Sequence, residues 1–305
     1  MGVFILCKGV RFLTIQELRK IGREELKKNN IDEIDAKVDM LLQYILKINK
    51  IDLLINCEKN VDKDSENKFV QHINEIIKGE PIQYITNEQE FMQLKFYVDE
   101  NVLIPQQDTE ILVEEAIKKI YQIYEKSKKK IKILDLCTGS GAIAIALEHH
   151  IKNTSTFGKT DLEIWGSDIS KEALAIAKKN AIINKAKINY ILSDMFKNIK
   201  ENDFDIIVSN PPYIETDTIL TLSKEVQSEP HLALDGGKDG LDFYKIIANE
   251  AYKYINDNGY VLVEIGYNQK KDVIQLFKQY NKYVDIECVK DLSMNDRVIE
   301  AIIKK

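Results

Sequence analysis

Residues 133–147 read ILDLCTGSGAIAIAL. The apolar run Ile133, Leu134, Leu136 has no polar alternation, which suits a strand covered on both faces. Thr138-Gly139-Ser140-Gly141 then breaks the run, and the Ala/Ile repeat from Ala142 to Leu147 suits a helix packed back on that strand. Strand, glycine turn and helix make half of a βαβ unit, and open parallel sheets bind ligands where their strands end. Glycines there let the backbone approach a ligand at the helix N-terminus. The spacing Gly139-x-Gly141-x-x-Ala144 also satisfies the dinucleotide fingerprint, so nicotinamide binding stays open on this stretch alone.

Working outward, apolar runs recur at 162–168, 188–194, 204–210 and 259–266, with helical periodicity between most of them. Such alternation predicts a parallel sheet with helices on both faces. Residues 283–291 and 296–305 follow each other through a short turn and should pair as antiparallel edge strands. Upstream, Asp108 or Thr109 is expected to cap a helix carrying Leu112, Val113, Ala116, Ile117 and Ile120 on its inner face. Residues 127–132 suit a solvated turn and 153–161 a surface loop.

The first third changes character. Thr14-x-x-Glu17 is a capping box, followed by Ile15, Leu18, Ile21 and Leu26 on one helical face. Helices are also expected over 35–49 and 65–78, the last closed by Gly79. Leu94, Phe96 and Val98 then alternate before Asp99-Glu100-Asn101, which predicts a hairpin turning at those three residues. The expected fold is α/β: a seven-stranded, mostly parallel Rossmann-like sheet with an antiparallel last strand, plus a small N-terminal helical bundle. The predicted parts are 1–86 (helices), 87–105 (hairpin linker) and 106–305 (sheet domain).

The 305 residues are 44% hydrophobic and 30% charged, as in a globular protein. A net charge of -6 argues against a chain whose main affinity comes from neutralising phosphates. Cys7, Cys57, Cys137 and Cys288 form no C-x-x-C pair, and His72, His149, His150 and His231 form no ligand spacing with them. No metal is expected, and a reducing cytoplasm fits. The apolar run 3–7 is too short for a signal peptide, and no segment is long enough to span a bilayer.

Two features carry chemistry. Asp135, Asp168 and Asp194 end three successive strands, which suits a nucleoside with a cationic, zwitterionic tail: Asp135 for an ammonium, Asp168 for ribose hydroxyls, Asp194 for an adenine amino group. Aspartates also cap helices after strands, and that alternative holds for each residue singly. The second feature is Asn210-Pro211-Pro212-Tyr213, directly after the run FDIIVS. Prolines end strands; a rigid loop with an amide oxygen, a carbonyl and an aromatic ring also suits a grip on a planar NH2 group.

Asp135-Leu136-Cys137-Thr138-Gly139-Ser140-Gly141 with Asp168 and Asp194 resembles the S-adenosylmethionine motifs of class I methyltransferases. The NPPY stretch resembles the acceptor motif of those that methylate planar NH2 groups. PIQYI (81–85), FYVDENVLIPQQDTE (96–110), SEPHLALDGGKDGLDFY (228–244), EIGYNQ (264–269) and NDRV (295–298) resemble, in the same order, the release factor glutamine methyltransferases. The resemblance implies S-adenosyl-L-methionine as cofactor, with Cys137, Met195, Asn210 and the backbone of 138–141 around it. It implies peptide chain release factors as partners, recognised by the N-terminal helices and offering a Gly-Gly-Gln loop, with no membrane or direct nucleic-acid substrate and a monomeric enzyme. A ribosomal-protein glutamine, or an adenine amino group in nucleic acid, is the alternative acceptor; a non-catalytic module that kept the fold is a further alternative.

A glutamine amide nitrogen is a poor nucleophile, so positioning is the main help a protein can give it. Its two hydrogens call for two acceptors, Asn210 Oδ1 and the Pro211 carbonyl, with Tyr213 on the amide face. The prolines fix those acceptors in advance. Two departures stand out. Cys137 replaces the family's usual Gly, so the backbone there is expected to avoid positive φ, and its thiol is either buried and inert or lowered in pKa by the helix N-terminus. Gln106 replaces an Arg.

Overall fold

The computed structural model describes residues 11–127, 130–153 and 162–305. The expected loop at 153–161, the turn at 127–132 and the apolar run 3–7 lie wholly or partly outside these residues. The chain divides into two compact units. One holds the residues up to Thr86 together with Ser223–Ser228; the other holds Asn87–Leu222 and Glu229–Lys305.

In the first unit α1 (Ile15–Lys28) starts at the capping box: the Glu17 N–H donates to Thr14 Oγ1, and the Thr14 N–H donates to the Glu17 carboxylate. Its buried Leu18 and Leu26 join Val38, Leu41 and Leu42 of α2 (Ile34–Leu46), Leu53 of α3 (Lys50–Ile55), Phe69 and Ile73 of α4 (Lys63–Lys78) and Ile82 of α5 (Ile82–Thr86) in one core. Each such buried side chain contributes roughly 1.5–3 kcal/mol. α4 ends on Gly79 at φ 108, as expected. Ser223–Ser228, distant in sequence, also belongs here: the Ser228 hydroxyl donates to the Gly79 carbonyl (3.0 Å) and Lys37 pairs with Glu225 (2.8 Å).

The second unit opens with a hairpin, β1 (Gln89–Phe91) against β2 (Leu94–Phe96). Its turn is Met92-Gln93, at φ 49 and 62, not Asp99-Glu100-Asn101. Two left-handed residues match the twist of a two-residue hairpin, and that geometry outweighs the turn propensity of the acidic stretch. The sheet strands are β3 (Ile131–Leu136), β4 (Leu162–Asp168), β5 (Ile188–Leu192), β6 (Phe204–Ser209), β7 (Ile255–Glu264), β8 (Tyr283–Lys290) and β9 (Asp296–Ile303), in the order β5-β4-β3-β6-β7-β9-β8. β5 to β7 pair in parallel, whereas β9 is antiparallel to both its neighbours. The two last strands pair as expected, yet of the two only β8 is an edge strand, and β9 lies inside the sheet. Its near-continuous burial, against the alternation of β8, follows from having a strand on each side.

Alternation along the strands splits the core. Ile133, Ile206, Val208 and Leu262 face one layer with α6 (Glu110–Ser127) and α7 (Ala142–Asn153), and Phe91 and Phe96 close it. Ala181 brings α8 (Lys171–Ile183) to the same layer. Leu134, Leu136, Ile207, Val261 and Val263 face the other, packed by Tyr244 and Ile247 of α9 (Asp242–Glu250) and Val273 and Phe277 of α10 (Lys270–Lys278). Both faces are therefore dry, and polar work is left to the strand ends. No helix among the described residues is long and apolar enough to cross a membrane.

Candidate active site

A cavity of about 330 Å³ opens at the carboxyl ends of β3, β4 and β6, within the size range of small-molecule sites. Thr138, Gly139, Ser140, Asp168, Asp194, Met195, Asn210 and Pro212 line it. Cys137 lines it too. Asp135, Gly141, Pro211 and Tyr213 are not among its lining residues.

Asp135 lies beneath the floor, fully buried, and accepts from the Thr138 hydroxyl (2.6 Å) and the Ala144 N–H (3.2 Å). Its other oxygen, Oδ1, is buried with no hydrogen-bond partner. Burial pushes its pKa up to about 7, against the pull of those two donors. Asp168 Oδ2 accepts from the Gly139 N–H and Oδ1 from the Ser170 N–H, both at 2.9 Å. Its carboxylate thus pins the glycine loop while facing the cavity, and burial raises its pKa. Asp194, partly exposed two residues beyond β5, pairs with Lys197 at 2.5 Å. Asn180 of α8 fastens the loop from behind, donating to the carbonyls of Ser140 (2.9 Å) and Tyr97 (3.0 Å) and accepting from the Tyr97 N–H (2.7 Å).

These raised carboxylates set a pH dependence. A group whose folded pKa lies above its unfolded value keeps its proton longer in the folded protein, so the stability it contributes is lost as pH rises through the folded value. For Asp135 the window runs from about 4 to about 7. Three pKa units correspond to about 4 kcal/mol, so Asp135→Asn melts up to roughly 8–16 °C above the parent at pH 8, at about 2–4 °C per kcal/mol, and the difference closes near pH 4 in scanning calorimetry.

Cys137 corrects an expectation: it sits at φ 62, in the left-handed region. The chain turns sharply off β3 there, with the Thr138 N–H bonded to the Ser167 carbonyl (2.9 Å), and this outweighs a preference of about 1–2 kcal/mol. Its thiol is pushed up in pKa by burial and then by the Asp168 charge, and sits 3.8 Å from Met195 Sδ. Both features favour the inert thiol of the two alternatives over an activated one.

Asn210 follows β6 at the cavity wall. Its Nδ2 donates to Thr109 Oγ1 (3.1 Å), which leaves Oδ1 as the free end of the amide. Tyr213 does not offer its ring to the cavity: the ring packs in the second core layer and its hydroxyl reaches Glu264 Oε1 (3.5 Å). Gln269 Nε2 holds the Tyr213 carbonyl (2.9 Å). Asp108 and Thr109 do not behave as the expected helix caps, because Asp108 pairs with Arg297 (2.8 Å) and Thr109 receives Asn210. Gln106 curls onto the Ile104 carbonyl (3.0 Å) at the cavity wall.

The glycines of 228–244 back the same loop. A Cβ on Gly236 would stand 2.7 Å from Tyr213 Cα and 2.9 Å from the Pro212 carbonyl, both backbone atoms that cannot yield without moving the loop. Gly236→Ala is expected to destabilise by about 1–3 kcal/mol and to cut turnover at least about tenfold. Melting curves and initial rates check both. Spacing alone gave no sign of Thr109, Gly236, Glu264 or Gln269 as supports, although each lies in a stretch singled out by resemblance.

A model of the methyltransferase small domain matches residues 108–238, and one of the PrmC N-terminal domain matches 17–86. With the sheet order and the cavity at its strand ends, the first match defines a class I methyltransferase. Release factor glutamine methyltransferase of Fusobacterium nucleatum is 40% identical over 282 residues, covering 91% of this chain and 76% of that one. That of Clostridium botulinum is 37% identical over 294 residues (95% and 99%), and that of Clostridium acetobutylicum 38% over 289 (91% and 94%). The chain belongs to the release factor glutamine methyltransferase family.

Proposed function

We propose that this enzyme transfers a methyl group from S-adenosyl-L-methionine to the side-chain amide nitrogen of the glutamine in the Gly-Gly-Gln loop of peptide chain release factors. The observation that carries the reading is the Asn210 amide, anchored by its nitrogen on Thr109 with its oxygen free beside a cavity rimmed by Asp168 and Asp194.

The residues fit the cofactor. Asp135 Oδ1 is a buried, unpartnered acceptor for its ammonium or a bridging water, Asp168 suits the ribose hydroxyls and Asp194 the adenine amino group. Thr138, Gly139, Ser140, Cys137 and Met195 supply the wall, and Gly141 lets α7 begin close beneath it. When bound, S-adenosylmethionine supplies an electrophilic methyl carbon on a positively charged sulfur. Asn210 Oδ1 and the Pro211 carbonyl accept the two hydrogens of the acceptor amide and fix its plane. Positive charge grows on that nitrogen as its new bond forms, so both acceptors strengthen in the transition state. Pro211 and Pro212 keep them rigid. Tyr213 anchors the loop through Glu264 and Gln269 instead of stacking on the substrate.

The N-terminal helices serve as the substrate-recognition domain, with residues 87–105 linking to the methyltransferase domain at 106–305. The enzyme works in the cytoplasm as a monomer. Incubation with labelled cofactor and, separately, a release factor, ribosomal proteins and nucleic acid tests the acceptor. Label on the release factor alone is expected; label only on another acceptor contradicts the reading.

A further inference from the structure

Of the described arginines only Arg297, near the start of β9, is buried. A guanidinium taken out of water is costly unless carboxylates and hydrogen bonds compensate it. Asp291, buried in the turn from β8 to β9, is the first of its partners: one oxygen accepts from Arg297 Nε (3.2 Å) and Nη2 (3.0 Å). The other oxygen of Asp291 accepts the Asn295 N–H (2.9 Å). The main chain is held as well, because the Ile265 N–H, just past β7, donates to the Arg297 carbonyl (2.8 Å). The direction of the guanidinium is thereby fixed, and its Nη2 stands 2.8 Å from Asp108 Oδ2.

Asp108 is a different kind of partner. Its side chain is 54% exposed, and it belongs to a distant segment, the single turn Gln107–Thr109 ahead of α6. An ion pair with one member in water contributes little to stability; what this one does is tie down a turn. Thr109, the next residue, donates its N–H to the Gln106 carbonyl (3.1 Å), and its hydroxyl oxygen accepts from Asn210 Nδ2 (3.1 Å). Gln106, Thr109 and Asn210 line the cavity, whereas Asp108 and Arg297 are not among its lining residues.

We propose that Arg297 and Asp108 are positioning residues for methyl transfer: the guanidinium, oriented by Asp291, holds the turn Gln107–Thr109 where Thr109 Oγ1 can anchor the Asn210 amide. This rests on the proposed amide clamp and adds what sets its place. Neither residue touches substrate or cofactor. The anchor of Asn210 lies 101 residues away in sequence, on a single turn whose position relative to the loop after β6 must be set from outside. Were that turn to drift by about 1 Å, the amide oxygen would leave the line to the acceptor nitrogen, and misplacement of that size costs up to about 100-fold in rate.

The test uses the full chain with Asp108→Ala and Arg297→Met, each alone and combined with Asn210→Ala. Asp108→Ala keeps the Arg297–Asp291 pair and leaves no buried charge unpaired. It is expected to lose about 10- to 30-fold in kcat toward a release factor, with cofactor affinity within about twofold of the parent. Arg297→Met loses at least as much. In the Asn210→Ala background both losses shrink to within about twofold, because the anchor has nothing left to position; an ion pair that served stability alone would cost the same factor in both backgrounds. In 15N NMR of the cofactor-free protein, the Asn210 side-chain NH2 signals of Asp108→Ala move toward their positions in Thr109→Val. Parent rates in Asp108→Ala or in folded Arg297→Met, a loss that persists in full beside Asn210→Ala, or unmoved NH2 signals each overturn the proposal. Should Arg297→Met fail to fold, the Asp108→Ala variants still decide it. A parent that methylates no release factor sinks the proposed acceptor instead, and the NMR signals then judge the positioning by themselves.

Discussion

Asn210→Ala lowers kcat toward a release factor by about 10²–10³, the usual size for one preorganised polar group aimed at transition-state charge. The alanine removes one of two acceptors that fix the amide plane, and the nitrogen then samples orientations out of line with the methyl carbon. Cofactor affinity changes far less, because the glycine loop and its carboxylates are untouched. Fold stability also changes little: Asn210 is partly exposed and its side chain gives up a single hydrogen bond, to Thr109. Rapid-quench single turnovers at saturating cofactor, with titration calorimetry alongside, separate these effects. A variant within threefold of the parent rate would mean that Asn210 does not hold the acceptor.

Asp168→Ala weakens cofactor binding by roughly 10²–10⁴, the loss expected for two hydrogen bonds to a charged acceptor at about 1.5–3 kcal/mol each. The same change frees the Gly139 and Ser170 N–H groups, so the glycine loop loses its clamp as well as the ribose partner. At cofactor concentrations high enough to saturate the variant, kcat recovers to within about tenfold of the parent, in contrast with Asn210→Ala. The two variants thus divide the site: one fails in binding, the other in turnover. Equal affinity in Asp168→Ala and parent, by calorimetry, would remove Asp168 from the cofactor site.

Much of this was legible in the sequence. Strand positions, the antiparallel end of the sheet, the capping box at Thr14 and the cluster of Asp168, Asp194 and Asn210 at the strand ends all follow from periodicity and turn chemistry. What was not legible depends on contacts between distant segments. Asp99-Glu100-Asn101 has turn propensity, but the hairpin turns at Met92-Gln93, because register is set by which residues reach the core. Cys137 lies in left-handed backbone because the turn off β3 requires it, whatever residue stands there. Tyr213 looked like a substrate-facing ring; its partner Glu264 is 51 residues away and turns it inward. Thr109 looked like a helix cap, and only the fold brings it to an asparagine 101 residues further on.

The most direct test of the amide clamp is tryptic mass spectrometry of the release factor after incubation with S-adenosylmethionine and either the parent enzyme or Asn210→Ala. The parent is expected to add one methyl group, on the Gly-Gly-Gln glutamine and nowhere else, and the variant to leave that residue almost unmodified in the same time. A peptide methylated equally by both, or a methyl on any other residue, would contradict the account.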